Sequence, residues 1–236
     1  MIVLKIAGLP IAIDNRYKRI ELMAKDYITD EEPLFTVSVT DEEIEEERVA
    51  SGTDFSAAYY ESIVAYRHIA EKLPEYDAVL FHGAVMEIGD YAYAITANSG
   101  VGKTTHVRLW LSEFGEEVKI LNGDKPLIRI INGVPYACGT PWQGKENYGR
   151  NSVKELKGIA FLSRGAENKA YGVETKNVVI DFMSQVYLPK KDRKTLSKTM
   201  LLSDKVLSAV RLVKLECNME PEAAHVCRAA LIKENN

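Results

Sequence analysis

Ala97-Asn98-Ser99-Gly100-Val101-Gly102-Lys103-Thr104-Thr105 is the stretch on which the reading of this chain turns. Its spacing is that of a phosphate-binding P-loop (the Walker A pattern), with Ala97 where the first glycine usually stands and Gly102-Lys103-Thr104 closing it. Small residues let the backbone curl so that successive N–H groups point inward at an anion. Lys103 supplies a point charge for the outer phosphates, and the Thr104 hydroxyl suits Mg²⁺. Residues 91–96 read as a strand into the loop and residues 104–111 as a helix out of it. The loop then falls at a helix N-terminus, where unpaired N–H groups and the macrodipole favour phosphate. Asn98, Ser99, Gly100, Val101, Gly102, Lys103, Thr104 and Thr105 are the expected contacts to ATP. A purely structural glycine turn is the ordinary alternative.

The bulk properties narrow the function classes. The chain has 236 residues, 46% hydrophobic and 27% charged, enough for one main domain with a small appendage. A net charge of −4 argues against nucleic acid as a partner, and against a DNA-linked ATPase, since both need a basic surface. Cys138, Cys217 and Cys227 are too few and too scattered for a disulfide framework or a zinc site. They read as buried thiols in a reducing compartment. Residues 1–13 are apolar but interrupted by Lys5 and Pro10, so they read as a strand pair rather than a signal peptide. No stretch approaches the length of a bilayer span. The expected location is cytoplasmic, with no membrane partner; a homo-oligomer stays open.

Residues 1–50 read as a small β-rich N-terminal section, and 51–236 as the nucleotide-binding domain. Strands are expected at 2–7, 11–13 and 34–39. Thr40 and Glu43 have capping-box spacing, so the acidic run 41–47 reads as a solvated helix or turn rather than a metal site. Phe55, Tyr59, Ile63, Tyr66, Ile69 and Leu73 recur at helical spacing up to Pro74, an aromatic stripe best read as core. Residues 78–88 read as one strand, Gly89-Asp90 as a tight turn, and 91–96 as the return. Gly115 marks a helix stop, and 118–121 is a short strand ending at Asn122-Gly123-Asp124. Segments 126–131 and 134–137 flank Asn132-Gly133, a hairpin signal, and 156–162 is another strand. Beyond Val173, helix patterns alternate with one strand, 212–217, and Pro221 opens the final helix. Hairpins before the loop strand point to an α/β fold with a mixed, curved sheet and packed helices rather than an all-parallel sheet.

Two residues outside the loop bear on chemistry. Asp124, at the end of an apolar strand, is suited to hold or orient Mg²⁺, although Asn-Gly-Asp is also ordinary turn sequence. His82 lies one hairpin before the loop strand, which brings the His82-Gly83 end beside the loop. A lone histidine in an apolar strand is otherwise a core residue. Gly83 permits close backbone or ligand approach.

Taken in order, His82-Gly83-Ala84-Val85, the turn, 91–96, 98–105 and 120–124 resemble the kinase domain of HPr kinase/phosphorylase. More distantly they are similar to the nucleotide half of ATP-dependent phosphoenolpyruvate carboxykinase. Gly139-Thr140-Pro141-Trp142-Gln143-Gly144-Lys145 and the strand at 156–159 resemble HPr-kinase-related proteins of bacterial biosynthetic clusters, extending the likeness to about two-thirds of the chain. The resemblance implies Gly100, Gly102 and Lys103 on the phosphates, Thr104 and Asp124 at Mg²⁺, and His82 close to the transferred group. Where HPr kinase has two adjacent aspartates, this chain has Gly123-Asp124, or Asp124-Lys125 with the register slipped by one. Asp124 is then left with the metal, and His82 or a residue from elsewhere takes the acceptor proton. The family's later phosphorylase segment and an oxaloacetate-binding half have no counterpart.

Trp142, Lys145 and Arg150 lie in a glycine-rich stretch expected to fold over the site. Lys145 or Arg150 would stabilise charge on a moving phosphoryl group, against the plain reading of surface cations. Trp142 reads as an anchor for the loop, with stacking on a base as the alternative. The expected function is an ATP- and Mg²⁺-dependent kinase acting on a serine-type hydroxyl of a small molecule, peptide or protein. Its rival is a non-catalytic ATP-binding regulatory or assembly module.

Overall fold

The computed structural model describes residues 1–190 and 192–232, and two sheets organise them. The smaller is three-stranded, in the order β1 (Ile2–Ile6), β2 (Leu9–Asp14), β3 (Phe35–Ser38). β1 and β2 form an antiparallel hairpin, and β3 joins β2 in parallel after the short helix α1 (Arg19–Met23). The capping box holds: the Thr40 hydroxyl accepts from the Glu43 N–H and the Glu43 carboxylate accepts from the Thr40 N–H. It opens α2 (Asp41–Ser51), and Gly52 in the left-handed region closes it. α3 (Ala57–Lys72) carries the aromatic stripe as core: Tyr60, Val64, Tyr66 and Ile69 pack with Leu4, Ile6, Ile11 and Ile13. Of the expected stripe, Tyr66, Ile69 and Leu73 are buried, Tyr59 and Ile63 are half-buried, and Phe55 lies before the helix, exposed, with its ring on Tyr59.

The larger sheet has nine strands. In chain order they are β4 (Ala78–Leu80), β5 (Ala84–Ile88), β6 (Tyr91–Thr96), β7 (Val118–Asn122), β8 (Leu127–Ile131), β9 (Val134–Cys138), β10 (Val153–Arg164), β11 (Lys169–Gly172) and β12 (Arg211–Cys217). Their lateral order is β4-β8-β9-β10-β6-β5-β7, with β12 also on β10 and β11 on β12. β10 is the fork: its start pairs antiparallel with β9, and its later residues pair with β12 on the same edge. β6, β10 and β12 run parallel while the remaining pairings of this sheet are antiparallel. The fold is thus mixed α/β, as the hairpins required.

Both faces of this sheet are covered, which is why its central strands are apolar on both sides. In β6, Ala92 and Ala94 face the core made with α5 (Val179–Met183) and α6 (Arg193–Ala209). Tyr93 and Ile95 face the opposite core, made with α4 (Lys103–Phe114) and α7 (Glu222–Leu231). All three cysteines are buried free thiols.

Two expectations change. Residues 78–88 are not one strand: β4 pairs with β8, while β5 sits between β6 and β7, and Phe81-His82-Gly83 is the switch between them. Burial on both faces keeps the apolar run continuous through the break, so periodicity does not mark it. Gly83 does permit the expected close approach, since a Cβ there would stand 2.4 Å from the Phe81 ring and 3.1 Å from the Ile95 carbonyl. β11 is the second difference, a largely exposed edge strand with no apolar alternation to announce it.

Candidate functional site

The parallel strands β6, β10 and β12 end on one side of the sheet, and β6 runs there into the loop 97–102 and then α4. Gly100 (φ +78°) and Gly102 (φ +129°) take backbone conformations that L side chains rarely adopt, which explains glycine at both positions. Gly102 caps α4 with no side-chain hydrogen bond, so the N–H groups of the first turn face outward. Arg164, at the end of β10, fixes the loop from behind: Nε donates to the Val101 carbonyl at 2.9 Å and Nη2 to the Gly100 carbonyl at 2.5 Å. Two carbonyls are thereby drawn to one cation on the outer side of the loop, opposite the cleft into which Lys103 projects.

A cleft of about 760 Å³ lies against the loop. Of the expected nucleotide contacts, Asn98, Ser99, Gly100, Gly102, Lys103, Thr104 and Thr105 line it, and Val101 does not. His82, Asp124, Trp142 and Lys145 line it as well. Arg150 is not among its walls: its backbone N–H donates to the Leu121 carbonyl and its guanidinium stands 3.9 Å from Glu87. Trp142 is the loop anchor, buried, stacked on Tyr66 at 4.0 Å between centroids, and donating from Nε1 to the Ser62 carbonyl. It is not free to stack on a base.

Lys103, His82 and Asp124 converge. Lys103 Nζ stands 3.0 Å from His82 Nε2, and that nitrogen stands 3.4 Å from Asp124 Oδ1. The strand switch places His82: its N–H donates to the Gln185 carbonyl, the next N–H, of Gly83, donates to the Asp124 carbonyl, and Thr96 Oγ1 donates to the His82 carbonyl. Gln185 completes the arrangement. Its Nε2 donates to Asn98 Oδ1 (3.0 Å) and Ser184 Oγ (2.9 Å), which turns its Oε1 toward His82 Nδ1 at 2.8 Å. In the neutral ring Nδ1 therefore carries the proton and Nε2 presents its lone pair to Lys103, an assignment read from the partners.

The turn reading of Asp124 is realised, and the turn sets its side chain on the cleft wall. Buried Asn122 accepts from the N–H groups of Asp124 (2.9 Å) and Lys125 (2.8 Å), and donates to Thr140 Oγ1. Thr140 Oγ1 and Tyr66 Oη both donate to the Lys125 carbonyl. This mesh fixes the turn that aims Asp124 into the cleft. Burial pushes the Asp124 carboxyl up, but the hydrogen bond and charge that His82 offers in its doubly protonated form, with the charges of Lys125 and Lys103, outweigh it and leave the group below the usual carboxylate range. Burial pulls the Lys103 ammonium down, with Asp124 opposing.

Mg²⁺ takes oxygen donors, keeps several waters, and commonly uses one or two carboxylates together with substrate phosphates. An ionised Asp124 and the Thr104 hydroxyl, both on the cleft wall, fit that demand. Among the described residues no group of three or more His, Cys, Asp or Glu side chains could hold a metal ion. Gln185, Arg164 and Asn122 are the site residues that the sequence left unread. Asn122 alone had a signal, its place in Asn-Gly-Asp.

No family model matches the sequence, and no curated protein matches it. Among solved structures the chain is similar to the HPr(Ser) kinase/phosphatase from Coxiella burnetii, at 9% identity, over 64% of this chain and 92% of that one, with a TM-score of 0.35. No helix among the described residues is long and apolar enough to cross a membrane.

Proposed function

We propose that this chain is an ATP- and Mg²⁺-dependent phosphotransferase, similar to HPr kinase, that moves the γ-phosphate to a serine-type hydroxyl on a small molecule, peptide or protein. The observation that carries the reading is the convergence of Lys103, His82 and Asp124 beside a glycine-shaped loop at a helix N-terminus. Thr104 and Asp124 would hold Mg²⁺, which supplies charge neutralisation between the outer phosphates. Lys103 moves from His82 onto phosphate oxygens, and this frees the Nε2 lone pair. His82 Nε2 then takes the acceptor's hydroxyl proton as that oxygen bonds to phosphorus, the bond to the β-phosphate oxygen breaks, and ADP leaves. Lys145, which shares the cleft wall with Arg19 and Lys125, is the cation we assign to the moving group.

Lys125, which follows Asp124 where HPr kinase has a second aspartate, favours the alternative of a non-catalytic ATP-binding module. One experiment separates the two. The purified protein is mixed with γ-labelled ATP, Mg²⁺ and a panel of hydroxyl acceptors. Acceptor-dependent ADP release that Lys103→Ala abolishes, together with ATP binding, supports the kinase. Tight ATP binding without such release assigns the module. Retained transfer in the Lys103→Ala protein refutes the site.

A further inference from the structure

The burial of Trp142 leaves open where the nucleoside half of ATP would lie. On the side of the loop away from His82 and Asp124 there is a second cavity of about 470 Å³. One wall is α4, through Thr105 and Leu109; the other is the ends of β10 and β12, through Gly165, Cys217 and Met219. It shares Gly100, Gly102 and Thr105 with the phosphate cleft, so the two form one path around the loop. Direction along that path is set by the sheet. Asp124 and His82 arrive from strands on the β5 and β7 side of β6, whereas β10 and β12 lie on the other side. A triphosphate with its outer end at Lys103 and Asp124 passes Thr105 and delivers its nucleoside to the β10–β12 flank. A third cavity, walled by Asp181, Ser184 and Lys214, also meets the loop at Asn98, Ser99 and Gly100, but it touches neither Lys103 nor Thr105 at the start of α4, where the phosphate path leaves the cleft.

Resting on the kinase reading of the phosphate cleft, the geometry points to this second cavity as a nucleobase subsite that accepts a purine by apolar packing rather than by reading its edge. Val101, Leu109, Leu162 and Met219 supply apolar wall. Apart from Thr105 at the phosphate end, the polar side chains Asn218, Arg164 and His106 around it each hold protein partners. Asn218 Oδ1 accepts from the Glu220 N–H and its Nδ2 donates to the Ala166 carbonyl. Arg164 holds the loop carbonyls, and His106 Nε2 accepts from Trp110 Nε1. Sites that hydrogen-bond a ligand's polar edge reject the wrong ligand by orders of magnitude, because their own groups are left unpaired; an apolar slot does not. The cavity lies within the size range of small-molecule sites.

Met219 is 76% exposed at the lip, so it reports on occupancy and its replacement leaves the core alone. The test uses the full chain, ¹³C-methyl methionine labelling with Met219→Leu to assign the signal, and calorimetry with MgATP, MgGTP and magnesium tripolyphosphate. The subsite requires the Met219 methyl signal to move with ATP and GTP but not with tripolyphosphate. It also requires both nucleotides to bind at least tenfold tighter than tripolyphosphate and within tenfold of each other. A Met219 signal unmoved at saturating ATP, nucleotides no tighter than tripolyphosphate, or a purine preference beyond tenfold overturns it. Lys103-dependent tripolyphosphate binding with an unmoved Met219 removes only the subsite. Absence of binding by all three ligands removes the phosphate-cleft reading itself.

Discussion

Gln185 Oε1 lies 2.8 Å from His82 Nδ1 across 103 positions of sequence, and that one contact decides which imidazole nitrogen faces the cleft. With Nδ1 committed as donor, Nε2 is left to Lys103 and, on the proposed mechanism, to the acceptor proton. Gln185 touches no phosphate in this scheme; it is a positioning residue whose effect is transmitted through His82.

Gln185→Glu tests that role. A carboxylate against Nδ1 favours the imidazolium form, so in the variant a base at Nε2 is available only at higher pH. The acid limb of the rate profile for acceptor-dependent ADP release should move up by about one pH unit, with about a tenfold loss on the acid side of the limb and a smaller one at neutral pH. A structural role alone would lower the rate without moving the limb.

Arg164→Ala addresses the loop. The guanidinium makes two hydrogen bonds to the Gly100 and Val101 carbonyls but is itself exposed, so its loss should leave the core intact. Charge-assisted hydrogen bonds are worth about 1.5–3 kcal/mol, part of which here maintains the loop's shape before ligand arrives. ATP affinity should fall about tenfold by calorimetry, and amides at 97–102 should exchange faster while those of β6 and α4 do not. Unchanged affinity would show the loop holds its form without the clamp.

Gly83→Ala probes the strand switch. The added methyl would meet the Phe81 ring and the Ile95 carbonyl, both in packed surroundings. Overpacking of this kind costs about 1–3 kcal/mol, and backbone contact on one side places Gly83 at the upper end. Urea unfolding should show that loss. ATP affinity should fall with it, since His82 and the Gly83 N–H to the Asp124 carbonyl move together.

What the sequence disclosed and what it withheld follow one physical division. Local rules carried the capping box at Thr40, the hairpin at Asn132-Gly133, the helix after the loop and the stop at Gly115, because each depends on residues within a turn of one another. The loop, His82 and Asp124 were legible for a related reason, since spacing and order along a hairpin-rich segment bring them to one cleft. The strand break at Phe81-His82-Gly83 was invisible, because two buried strands in different places in the sheet leave the same apolar signature as one. Gln185 and Arg164 were invisible because their partners lie at His82 and at Gly100 and Val101, and no spacing rule links residues that meet only through tertiary packing.

His106 gives the fold a pH dependence of its own. It is buried in α4, its Nε2 accepts from Trp110 Nε1 at 3.0 Å, and its Nδ1 faces the Cys217 sulfur at 3.9 Å. Burial pulls its pKa from 6.5 down to about 4, because no carboxylate compensates the charged form there. The unfolded chain therefore binds a proton that the folded chain refuses between these values. Stability contributed by neutral His106 is complete above pH 6.5 and is lost as pH falls toward about 4, by about 3 kcal/mol in all. Urea midpoints measured at pH 7.5, 6 and 5 should fall accordingly, and His106→Gln should flatten the slope over that window. Trp110 fluorescence, reporting the loss of its hydrogen bond, should follow the same transition in the wild-type protein. A slope that survives the substitution would place the titrating group elsewhere.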